Sequence, residues 1–543
     1  MAFENLFPYL GHFGRYQKRI YVLLCLTAVT GALHKLVGVF LQASVNYRCQ
    51  LPFENETASY TLPPEILNMS YPWDEREYAF SSCQMLAANY TEDYFHSGRP
   101  SNESVTCTQW IYDKSIYKSS TIMEFDLVCT YGWLPAMSDS MFMLGDVIGS
   151  FTFGLLSDRY GRKPIFMVAV VMQVIAGLLV SFSPQYVWFI IFRLFVGSTV
   201  SGLFLVGYVI AMEMVGTRKR LFAGVACQLF FTFGYVITAL FAYLIPEWRL
   251  LQIAITVPSL IFLSYWWIIP ESFRWLIANG QQEEARKYIL KAAKENGVTI
   301  PDDVLTKAIM GEGSVQSENN SQKYSIIDMM KHSKLRRRTL NIFFIWFANN
   351  ATYYGLSWNT SNLGGNDYIN FLIAGFVEVP AYTFLLFSLN KWGRKKILCS
   401  SMIIAGVSLF AATAVPQGIS WLVVTFAMLG KLAITASYGT IYIFTAEQFP
   451  TVVRNVALGA SSTCARMGGM AAPYINVLNI IWRPLPLLIF GTVSITAAFM
   501  ALTLPETLNR KLPDTIEDME EQEKPLSGAR VGDHIDEVPK ESI

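Results

Sequence analysis

Charged side chains lie inside long apolar runs of this sequence, where burial of a charge is costly. Lys431 and Arg466 are each surrounded by apolar residues, and so are the acids Asp146 and Glu378. A cation at the centre of a bilayer costs about 2.5–3.5 kcal/mol on insertion scales unless it faces a cavity or a partner. We therefore expect Lys431 and Arg466 to line a central cavity, where they would bind a carboxylate or another polar group. Glu378 could pair with Lys431, Arg466 or Arg394.

The two acids share a spacing with a basic, glycine-containing motif. The motif reads GLLSDRYGRK at 154–163, and a weaker copy, SLNKWGRKK, occupies 388–396. In each run the acid lies 15 residues before a motif glycine, Gly161 in the first copy and Gly393 in the second. The duplicated spacing indicates that the acids have equivalent roles at an inner gate.

Other features repeat at nearly the same offset. Glu213 and Glu447 are each followed by an arginine seven residues later, and PES at 270–272 corresponds to PET at 505–507. The offset is 234 residues for the two glutamates and 232 for the motif glycines. Self-similarity of this length in an apolar chain is typical of membrane transporters built from two repeated halves.

The composition requires a lipid environment. Of the 543 residues, 52% are apolar even without glycine, and the mean hydropathy is +0.34. Only 15% are charged, against roughly 25% in soluble domains. The net charge of +1 gives no sign of the concentrated basic face that nucleic-acid binding needs. We expect a protein embedded in the lipid bilayer, with no nucleic-acid partner.

Apolar stretches long enough to cross a bilayer occur six times in each half. They lie near 20–42, 133–156, 165–183, 187–212, 222–244, 249–269, 340–358, 368–389, 397–415, 420–445, 456–478 and 484–504. The loops that contain Arg162, Lys219 and Lys395 are basic, whereas the alternate loops are not. Because basic loops stay on the cytoplasmic side, both termini are predicted to be cytoplasmic.

These spans predict an all-α membrane protein of twelve transmembrane helices in two pseudo-symmetric six-helix bundles. The expected segments are a cytoplasmic N-terminus at 1–19, an N-terminal lobe at 20–269, a cytoplasmic linker with short helices at 270–339, a C-terminal lobe at 340–504 and a cytoplasmic tail at 505–543. The N-terminal lobe includes an extracellular loop at 43–132. The tail is acidic and poor in aromatic residues, which predicts disorder.

The loop at 43–132 has the chemistry of an extracellular domain. It contains four glycosylation sequons and four of the eight cysteines, namely Asn55, Asn68, Asn89, Asn102, Cys49, Cys83, Cys107 and Cys129. An oxidising compartment allows up to two disulfides among these cysteines. Three pairings are possible and stay open, and four free thiols are the alternative. Sequon matches at Asn319, Asn350 and Asn359 fall in the linker, in a membrane span and at a span end, so we treat them as chance.

Fixed charges at the cytoplasmic ends of the spans predict an inner gate. Because buried charges need partners, carboxylates and basic groups of neighbouring helices would pair in one state and separate when the lobes rock apart. The alternative is that these charges only set the topology and anchor the helices among lipid headgroups. The expected gate residues are Asp146, Asp158, Arg159, Arg162, Lys163, Glu213, Arg220, Glu271, Arg394, Glu447, Arg454 and Glu506.

Several motifs resemble one family of membrane transporters. GLLSDRYGRK resembles the signature loop of the major facilitator superfamily, and PESFRWL and AEQFPTVVRN resemble its organic cation, carnitine and organic anion transporter branch. The stretches at 353–360 (YYGLSWNT) and 430–444 (GKLAITASYGTIYIF) are most similar to insect organic cation transporter proteins. The resemblance extends from Gly11 to Pro513 and implies the major facilitator fold. The QLS and proline-rich elements of sugar porters are not found.

The resemblance also implies a set of cavity residues. Relatives that carry simple cations have an aspartate at the position of Arg466, whereas carnitine and anion carriers have arginine there, and the position of Lys431 shows the same division. Aromatic faces hold amines by cation–π attraction, worth about 0.5–2 kcal/mol each. The implied aromatic positions match or neighbour Phe204, Tyr208, Phe231, Trp346, Phe347, Tyr353, Tyr354, Tyr438 and Tyr442, of which Tyr208 and Tyr442 are the strongest candidates, although each could equally be a packing or lipid-facing residue.

Together these residues predict a plasma-membrane transporter of small organic cations or amine-containing zwitterions resembling carnitine or carcinine, working by alternating access. No cofactor is expected, Na⁺ is the candidate coupling ion, and the monomer is the expected functional unit. His34, Lys35 and Asp139 could take part in ion coupling or could simply lie near the outer surface, and the second interpretation is favoured.

Other functions were weighed against this one. An organic anion exchanger and a sugar porter are the alternatives within the superfamily, and an ion channel is the alternative from another class. A channel would need a pore lined by repeated charged or carbonyl rings, which a repeat within one chain does not require. The sequence has no phosphate loop, HExxH motif, CxxC pair or GxSxG elbow, and we therefore expect no enzymatic activity.

Overall fold

A computed structural model describes residues 6–55, 58–74, 79–97, 100–216, 219–309, 326–416, 418–450 and 452–508. The chance sequon at Asn319 and the predicted tail beyond residue 508 lie outside the described residues. We call the face of the protein that carries the disulfide-bonded domain the outer face, and the opposite face, which carries the linker, the inner face.

Two bundles of six long helices form the membrane part. The first contains α1 (Arg15–Leu36 continued by Gly38–Leu41), α2 (Leu134–Tyr160), α3 (Arg162–Ser181), α4 (Tyr186–Met214), α5 (Arg220–Leu244) and α6 (Trp248–Thr256 continued by Val257–Ser264 and Tyr265–Ile268). The second contains α7 (Ser333–Trp358), α8 (Asp367–Phe376 continued by Glu378–Trp392), α9 (Arg394–Thr413), α10 (Ser420–Gln448), α11 (Arg454–Val477) and α12 (Leu485–Leu502).

Two of these helices are more polar than the rest. Among the described residues, ten helices are apolar and long enough to cross a membrane by composition alone, and α7 and α11 complete the twelve. The two pack against each other. Polar residues such as Asn350 and Asn476 are buried there, each with its amide nitrogen donating to a backbone carbonyl of the other helix. Because these polar groups face protein rather than lipid, a low mean hydropathy is tolerated.

Some helices extend beyond their apolar runs. α2 continues to Tyr160, four residues past the predicted end, and α7 begins at Ser333 instead of 340. The added turns carry charges, including Asp158 and Arg336. Hydropathy marks where the hydrocarbon ends, whereas the helical hydrogen bonds continue outside it.

The outer domain is built from three two-stranded antiparallel ladders and short helices. The strands are Tyr47–Cys49 with Trp110–Tyr112, Trp73–Asp74 with Ala79–Phe80, and Gln84–Leu86 with Ser104–Thr106. The short helices are Pro64–Ser70, Glu92–Ser97 and Thr121–Glu124. Of the three possible pairings, the structure has Cys49–Cys107 and Cys83–Cys129. The four sequon asparagines of this domain are exposed, so each is accessible to glycosylation.

Short helices also lie on the inner face. They are Phe7–Leu10, Phe273–Ala278, Gln282–Asn296 and Ile326–Lys331. Asn296, at the end of the third, accepts a hydrogen bond from the backbone N–H of Tyr16 at 2.9 Å and donates to the carbonyl of Leu10 at 3.0 Å. The linker is therefore fastened to the beginning of α1.

The two bundles share one apolar core on the outer half of the molecule and have separate cores on the inner half. The shared core includes Phe40 and Tyr235 of the first bundle and Phe371 of the second. Further in, one core surrounds Phe166 in the first bundle and another surrounds Phe444 in the second. A smaller apolar cluster at the contact of α5 with α8 continues inward between them. The bundles are thus packed together on the outer side and more loosely joined on the inner side.

Candidate functional site

Asp146 of α2 is the centre of a buried group of charges that joins the two bundles. Its carboxylate accepts a hydrogen bond from Nε of Arg466 on α11 at 2.7 Å and lies 3.6 Å from Nζ of Lys35 on α1. Arg466 also donates to the hydroxyl of Ser462 at 2.7 Å. Lys35 lies over the ring of Tyr354, 4.9 Å from its centroid. One carboxylate is therefore shared by two cations, and this group carries a net positive charge.

Asp146 lies deep within α2 and not at the inner surface where the gate hypothesis puts it. The helix continues for 14 residues beyond it to Tyr160, which corresponds to about 21 Å at the α-helical rise. The residue is 5% exposed. The structure therefore places Asp146 with the central charges, and its predicted position at the inner gate is wrong. Its partner Arg466 comes from the other bundle, so separation of the bundles at this level would break the pair.

A second buried ion pair lies between α10 and α8. Nζ of Lys431 is 3.2 Å from the Glu378 carboxylate, donates to the hydroxyl of Ser357 and lies 3.3 Å from the centroid of the Tyr353 ring. The Tyr353 hydroxyl donates to Glu378 at 2.5 Å, and Thr232 of α5 donates to its other oxygen at 2.9 Å. Lys431 is 1% exposed and Glu378 is 0% exposed. In this conformation the pair is closed off from solvent.

Both central groups thus contact the two bundles at once. Among the three partners considered for Glu378, the structure places Lys431 against it, and the Thr232 hydroxyl adds a hydrogen bond from the first bundle. Between them the groups contain three cations and two carboxylates. The described centre therefore carries one more positive than negative charge when all five side chains are ionised.

Five of the six predicted aromatic residues of the second bundle form one continuous wall. Trp346 contacts Tyr442 with ring centroids 4.5 Å apart, Tyr442 contacts Tyr438 at 5.7 Å, and Tyr438 stacks on Tyr353 at 5.2 Å. Tyr354 meets Tyr353 edge to face at 5.0 Å. Tyr442 is 41% exposed, so the wall has one accessible ring next to several enclosed ones. It connects the region of Lys431 with the region of Lys35.

The other four predicted aromatic residues are not part of this row of ring contacts. Phe204 and Tyr208 of α4 stack with centroids 6.0 Å apart at the edge of the core of the first bundle. Phe231 of α5 packs against the core that both bundles share. Phe347 stacks on Phe344 at 6.5 Å and is half-buried. Phe204, Tyr208 and Phe231 come from the first bundle, as a site between two bundles would require.

The inner-surface charges of the first bundle form a network at the ends of α2, α4 and α6. Arg162 pairs with Asp158 and lies 3.6 Å from the carboxylate of Glu213, which also accepts a hydrogen bond from Ser272. Arg159 is exposed and lies against the ring of Tyr160. These contacts lie within one bundle.

Glu271 is bound by backbone groups rather than by a basic side chain. Its carboxylate accepts hydrogen bonds from the backbone N–H of Arg162 at 3.0 Å and of Lys163 at 3.1 Å, at the start of α3. A helix N-terminus favours a negative charge there. Although these bonds favour the carboxylate, burial raises the pKa of Glu271 above its ordinary value. The Lys163 amine lies over the ring of Trp266.

The second bundle repeats this arrangement. Arg394 Nε lies 3.1 Å from the carboxylate of Glu447, which also accepts a hydrogen bond from Thr507 at 2.5 Å. Glu506 accepts hydrogen bonds from the backbone N–H of Arg394 at 3.0 Å and of Lys395 at 3.2 Å. Burial opposes the charged form, but the backbone bonds hold the pKa of Glu506 below its ordinary value. The repeated sequence spacing therefore corresponds to a repeated helix cap, in which a glutamate carboxylate binds the N-terminus of a helix in each bundle.

The remaining predicted gate residues begin the helices that follow the inner loops. Arg220 is the first residue of α5, and its Nε donates to the carbonyl of Val215 at 3.3 Å. Arg454 is the first residue of α11. Both arginines are involved in further interactions, so neither is a free charge.

The motif glycines are required by these caps. Gly161 has φ +107° and ψ 152°, and Gly393 has φ +93° and ψ 155°, a backbone conformation that is essentially restricted to glycine. A Cβ on Gly161 would lie 2.7 Å from the Glu271 carboxylate, and one on Gly393 would lie 2.6 Å from that of Glu506. Each glycine allows the carboxylate to reach the helix N-terminus.

Replacement of Gly161 by alanine is expected to destabilise the first bundle by about 1–3 kcal/mol, through backbone strain and displacement of Glu271. The measurement is the apparent Tm of the purified protein in detergent, together with uptake per surface copy. Gly280→Ala is the matched control, since Gly280 also has a positive φ but no atom within 4 Å of an added Cβ. Equal effects of the two substitutions would contradict a role for the cap.

Several buried polar residues were not predicted from the sequence. Arg193 of α4 is 1% exposed and donates to Asp139 at 2.9 Å, and Thr232, Tyr235 and Ser357 surround the second ion pair. Arg193 could have been predicted as a buried functional residue, because it is the single arginine in the apolar run of α4. The hydroxyl groups carry no comparable signal, because such residues are common in membrane helices.

Comparison with known proteins identifies the class. Residues 101–519 match the sugar (and other) transporter family. The E. coli xylose transporter XylE in its inward-open conformation aligns with a TM-score of 0.59 and 15% identity, covering 93% of this chain and 99% of that protein. The twelve-helix fold and the charges buried between its bundles are those of a membrane transporter of the major facilitator superfamily, not of an enzyme.

Full-length relatives narrow the class to a branch. The chain is 53% identical to an organic cation transporter protein of Drosophila melanogaster, covering 96% of this chain and 95% of the relative. It is 32% identical to the human organic cation/carnitine transporter 2, covering 95% and 94%. The chain belongs to the organic cation, carnitine and organic anion transporter family. Members of this superfamily generally need no cofactor.

Proposed function

We propose that this protein is a plasma-membrane transporter of small organic cations or amine-containing zwitterions that works by alternating access. The observation that carries the proposal is the pair between Asp146 and Arg466, which joins the bundles beside Lys35 and an aromatic wall. Such a group offers a carboxylate for an amine and two cations for a substrate carboxylate. The names of the two relatives, an organic cation transporter and an organic cation/carnitine transporter, support this substrate class.

The distribution of contacts supports a rocking mechanism. The bundles share an apolar core on the outer half and have separate cores on the inner half. The observed inner-surface pairs of Arg162 and Arg394 lie within one bundle each, which keeps each bundle rigid as it moves. In the opposite conformation, the inner charges approach across the bundles and close the inner face, while the Asp146–Arg466 pair opens.

The charge balance favours a zwitterion over a simple cation. The centre has one excess positive charge, and a bare tetraalkylammonium ion would increase it. A carnitine-like molecule brings its own carboxylate, which can replace Asp146 on Arg466 while its ammonium group takes Asp146 or an aromatic face. The same excess charge supports an organic anion exchanger as the second candidate.

Uptake of radiolabelled carnitine, carcinine and tetraethylammonium by cells expressing the chain, with and without external Na⁺, tests the proposal. We expect carnitine to be preferred over tetraethylammonium by at least about tenfold, which corresponds to ~1.4 kcal/mol. Carcinine has an amine but no carboxylate, so it separates recognition of the amine from recognition of the carboxylate. Saturable uptake with trans-stimulation would distinguish a transporter from a channel. Preference for tetraethylammonium would contradict the zwitterion, and a loss of uptake without Na⁺ would support sodium coupling.

The topology and assembly are part of the same proposal. The glycosylation sequons and disulfides lie on the outer face, and the basic loops lie on the inner face, as expected for cytoplasmic termini. The central charges are paired within one chain, which supports a functional monomer.

A further inference from the structure

A cavity of about 1780 Å³ lies between the disulfide-bonded domain and the outer ends of the membrane helices. Its wall includes Gly38 of α1, Gln42 directly after α1, Asp139 of α2, Trp358 of α7 and Asn476 of α11. Both bundles therefore contribute to its floor. The residues of the central site described above are not part of this wall.

Asp139 is held at the cavity wall through one of its two carboxylate oxygens. Arg193 donates to Oδ1 at 2.9 Å, and the side-chain amide of Gln42 donates to the same oxygen at 3.1 Å. The Arg193 side chain is 2% exposed, whereas that of Asp139 is 14% exposed. In the part of the chain that the structure describes, both donors bind Oδ1, so Oδ2 is the oxygen through which Asp139 would bind a ligand.

The ion pair is packed directly against the backbone of α1. A Cβ on Gly38 would lie 2.7 Å from Oδ1 of Asp139 and 3.0 Å from Nη2 of Arg193. The carboxylate therefore has a fixed position, set by a glycine on one side and a buried guanidinium on the other. A fixed carboxylate binds a cation without a large loss of side-chain entropy.

Trp358 connects this floor with the central site. Its ring meets that of Tyr354 with centroids 5.1 Å apart, and Tyr354 lies over Lys35. On the opposite side, the hydroxyl of Ser140, next to Asp139, donates to the carbonyl of Met470 at 2.7 Å. This bond holds the outer parts of α2 and α11 together. A continuous row of side chains therefore leads from the cavity floor toward the centre.

We propose that the floor of the cavity is an outer binding site for the ammonium group of an organic cation or zwitterion. Asp139 Oδ2 is the counter-ion, and Trp358 supplies an aromatic face. The choice of an ammonium ligand rests on the proposed function. The position of the Asp139 carboxylate in the cavity wall is independent of that proposal. The site holds the ligand above the shared apolar core, and opening of that core passes it inward along Tyr354.

Two measurements test this site. The first is binding of radiolabelled tetraethylammonium to the purified full-length protein in nanodiscs. The second is inhibition of substrate uptake into cells by external tetraethylammonium. Asp139→Asn and Trp358→Leu are each expected to weaken tetraethylammonium binding by ~3- to 30-fold, through loss of the counter-charge in the first variant and of a cation–π contact in the second. The KM for substrate supplied outside the cell should rise by a similar factor, whereas Vmax should change little. The reason is that the substrate binds this site before the conformational step. Trp358→Phe, which keeps an aromatic face, should recover most of the affinity.

Asp126→Asn and Trp421→Leu are the matched controls. Asp126 lines the same cavity but accepts a hydrogen bond from Tyr112, and Trp421 is an exposed tryptophan at the outer end of α10. If Asp126→Asn weakened tetraethylammonium binding as much as Asp139→Asn, the proposed site would be overturned, because the effect would then come from the overall negative charge of the cavity. Asp139→Asn could fail to fold because Arg193 loses its counter-charge. In that case, unchanged tetraethylammonium binding in Trp358→Leu would overturn the proposed site. Tetraethylammonium binding that depends on Asp139 and Trp358 without any uptake would support the site and reject the proposed transport function.

Discussion

Lys431→Met is expected to nearly abolish uptake and to reduce the amount of mature protein at the cell surface. The substitution leaves the fully buried Glu378 carboxylate with only hydroxyl partners, Tyr353 and Thr232. Removal of one member of a buried ion pair costs about 3–5 kcal/mol, because the remaining charge is no longer compensated. Glu378→Gln should have a similar effect, since it leaves the ammonium group of Lys431 enclosed by protein. Surface biotinylation together with uptake per surface copy is the measurement.

The double variant Lys431→Met with Glu378→Gln separates folding from function. Without either charge, no uncompensated ion is buried, so surface expression should recover to near the level of the unmodified protein. Lys391→Met, at an exposed lysine on the inner end of α8, controls for loss of a lysine from the same bundle. Normal expression of Lys431→Met would contradict the expected cost of removing one member of the buried pair.

Arg466→Ala is expected to lower uptake of carnitine-like zwitterions by about 30-fold or more. Truncation of one partner of a buried, hydrogen-bonded charge pair typically costs ~2 kcal/mol or more, and here the lost group is also the proposed anchor for the substrate carboxylate. The released carboxylate of Asp146 keeps Lys35 at 3.6 Å. It then offers a free oxygen to an amine, so tetraethylammonium uptake should fall less or even rise. The KM and Vmax for both substrates are the quantities to compare.

Asp146→Asn provides the complementary measurement. With Arg466 and Lys35 both present but their shared carboxylate neutralised, the centre gains positive charge, and uptake of tetraethylammonium should fall more than that of carnitine. Ser462→Ala, which removes only the hydroxyl partner of Arg466, should change both substrates by less than about threefold. If Arg466→Ala left the uptake of carnitine and tetraethylammonium unchanged, the pair would have no role in substrate choice.

The partner of Arg466 illustrates what a linear pattern can and cannot show. The embedded arginine was visible in the sequence, and the cost of burying it implied a partner. Asp146, however, is 320 residues away in the chain, and its duplicated spacing pointed to the gate instead. A repeated spacing shows where a residue lies along its helix. An ion pair between the bundles depends instead on which helix of one bundle packs against which helix of the other.

The duplicated glutamates show the same distinction at the inner face. Glu271 and Glu506 were recognised from their repeated positions, and basic side chains nearby suggested salt bridges. In the structure, both carboxylates bind backbone N–H groups at a helix N-terminus, across a glycine in a restricted conformation. Backbone donors are present at every residue, so the sequence cannot show which of them are left unpaired by a helix end.

By itself, the sequence predicted twelve spans in two homologous halves, a cytoplasmic orientation of the basic loops and the candidate central cations. These properties follow from local composition, from hydropathy over a bilayer length and from repetition along the chain. Only the tertiary structure decided the disulfide pairing, the partners of Lys431 and Arg466, and the buried Arg193–Asp139 pair beneath the outer cavity. The physical reason is that short-range electrostatic and hydrogen-bond contacts depend on distances of a few ångströms between remote segments, which are established only when the helices pack.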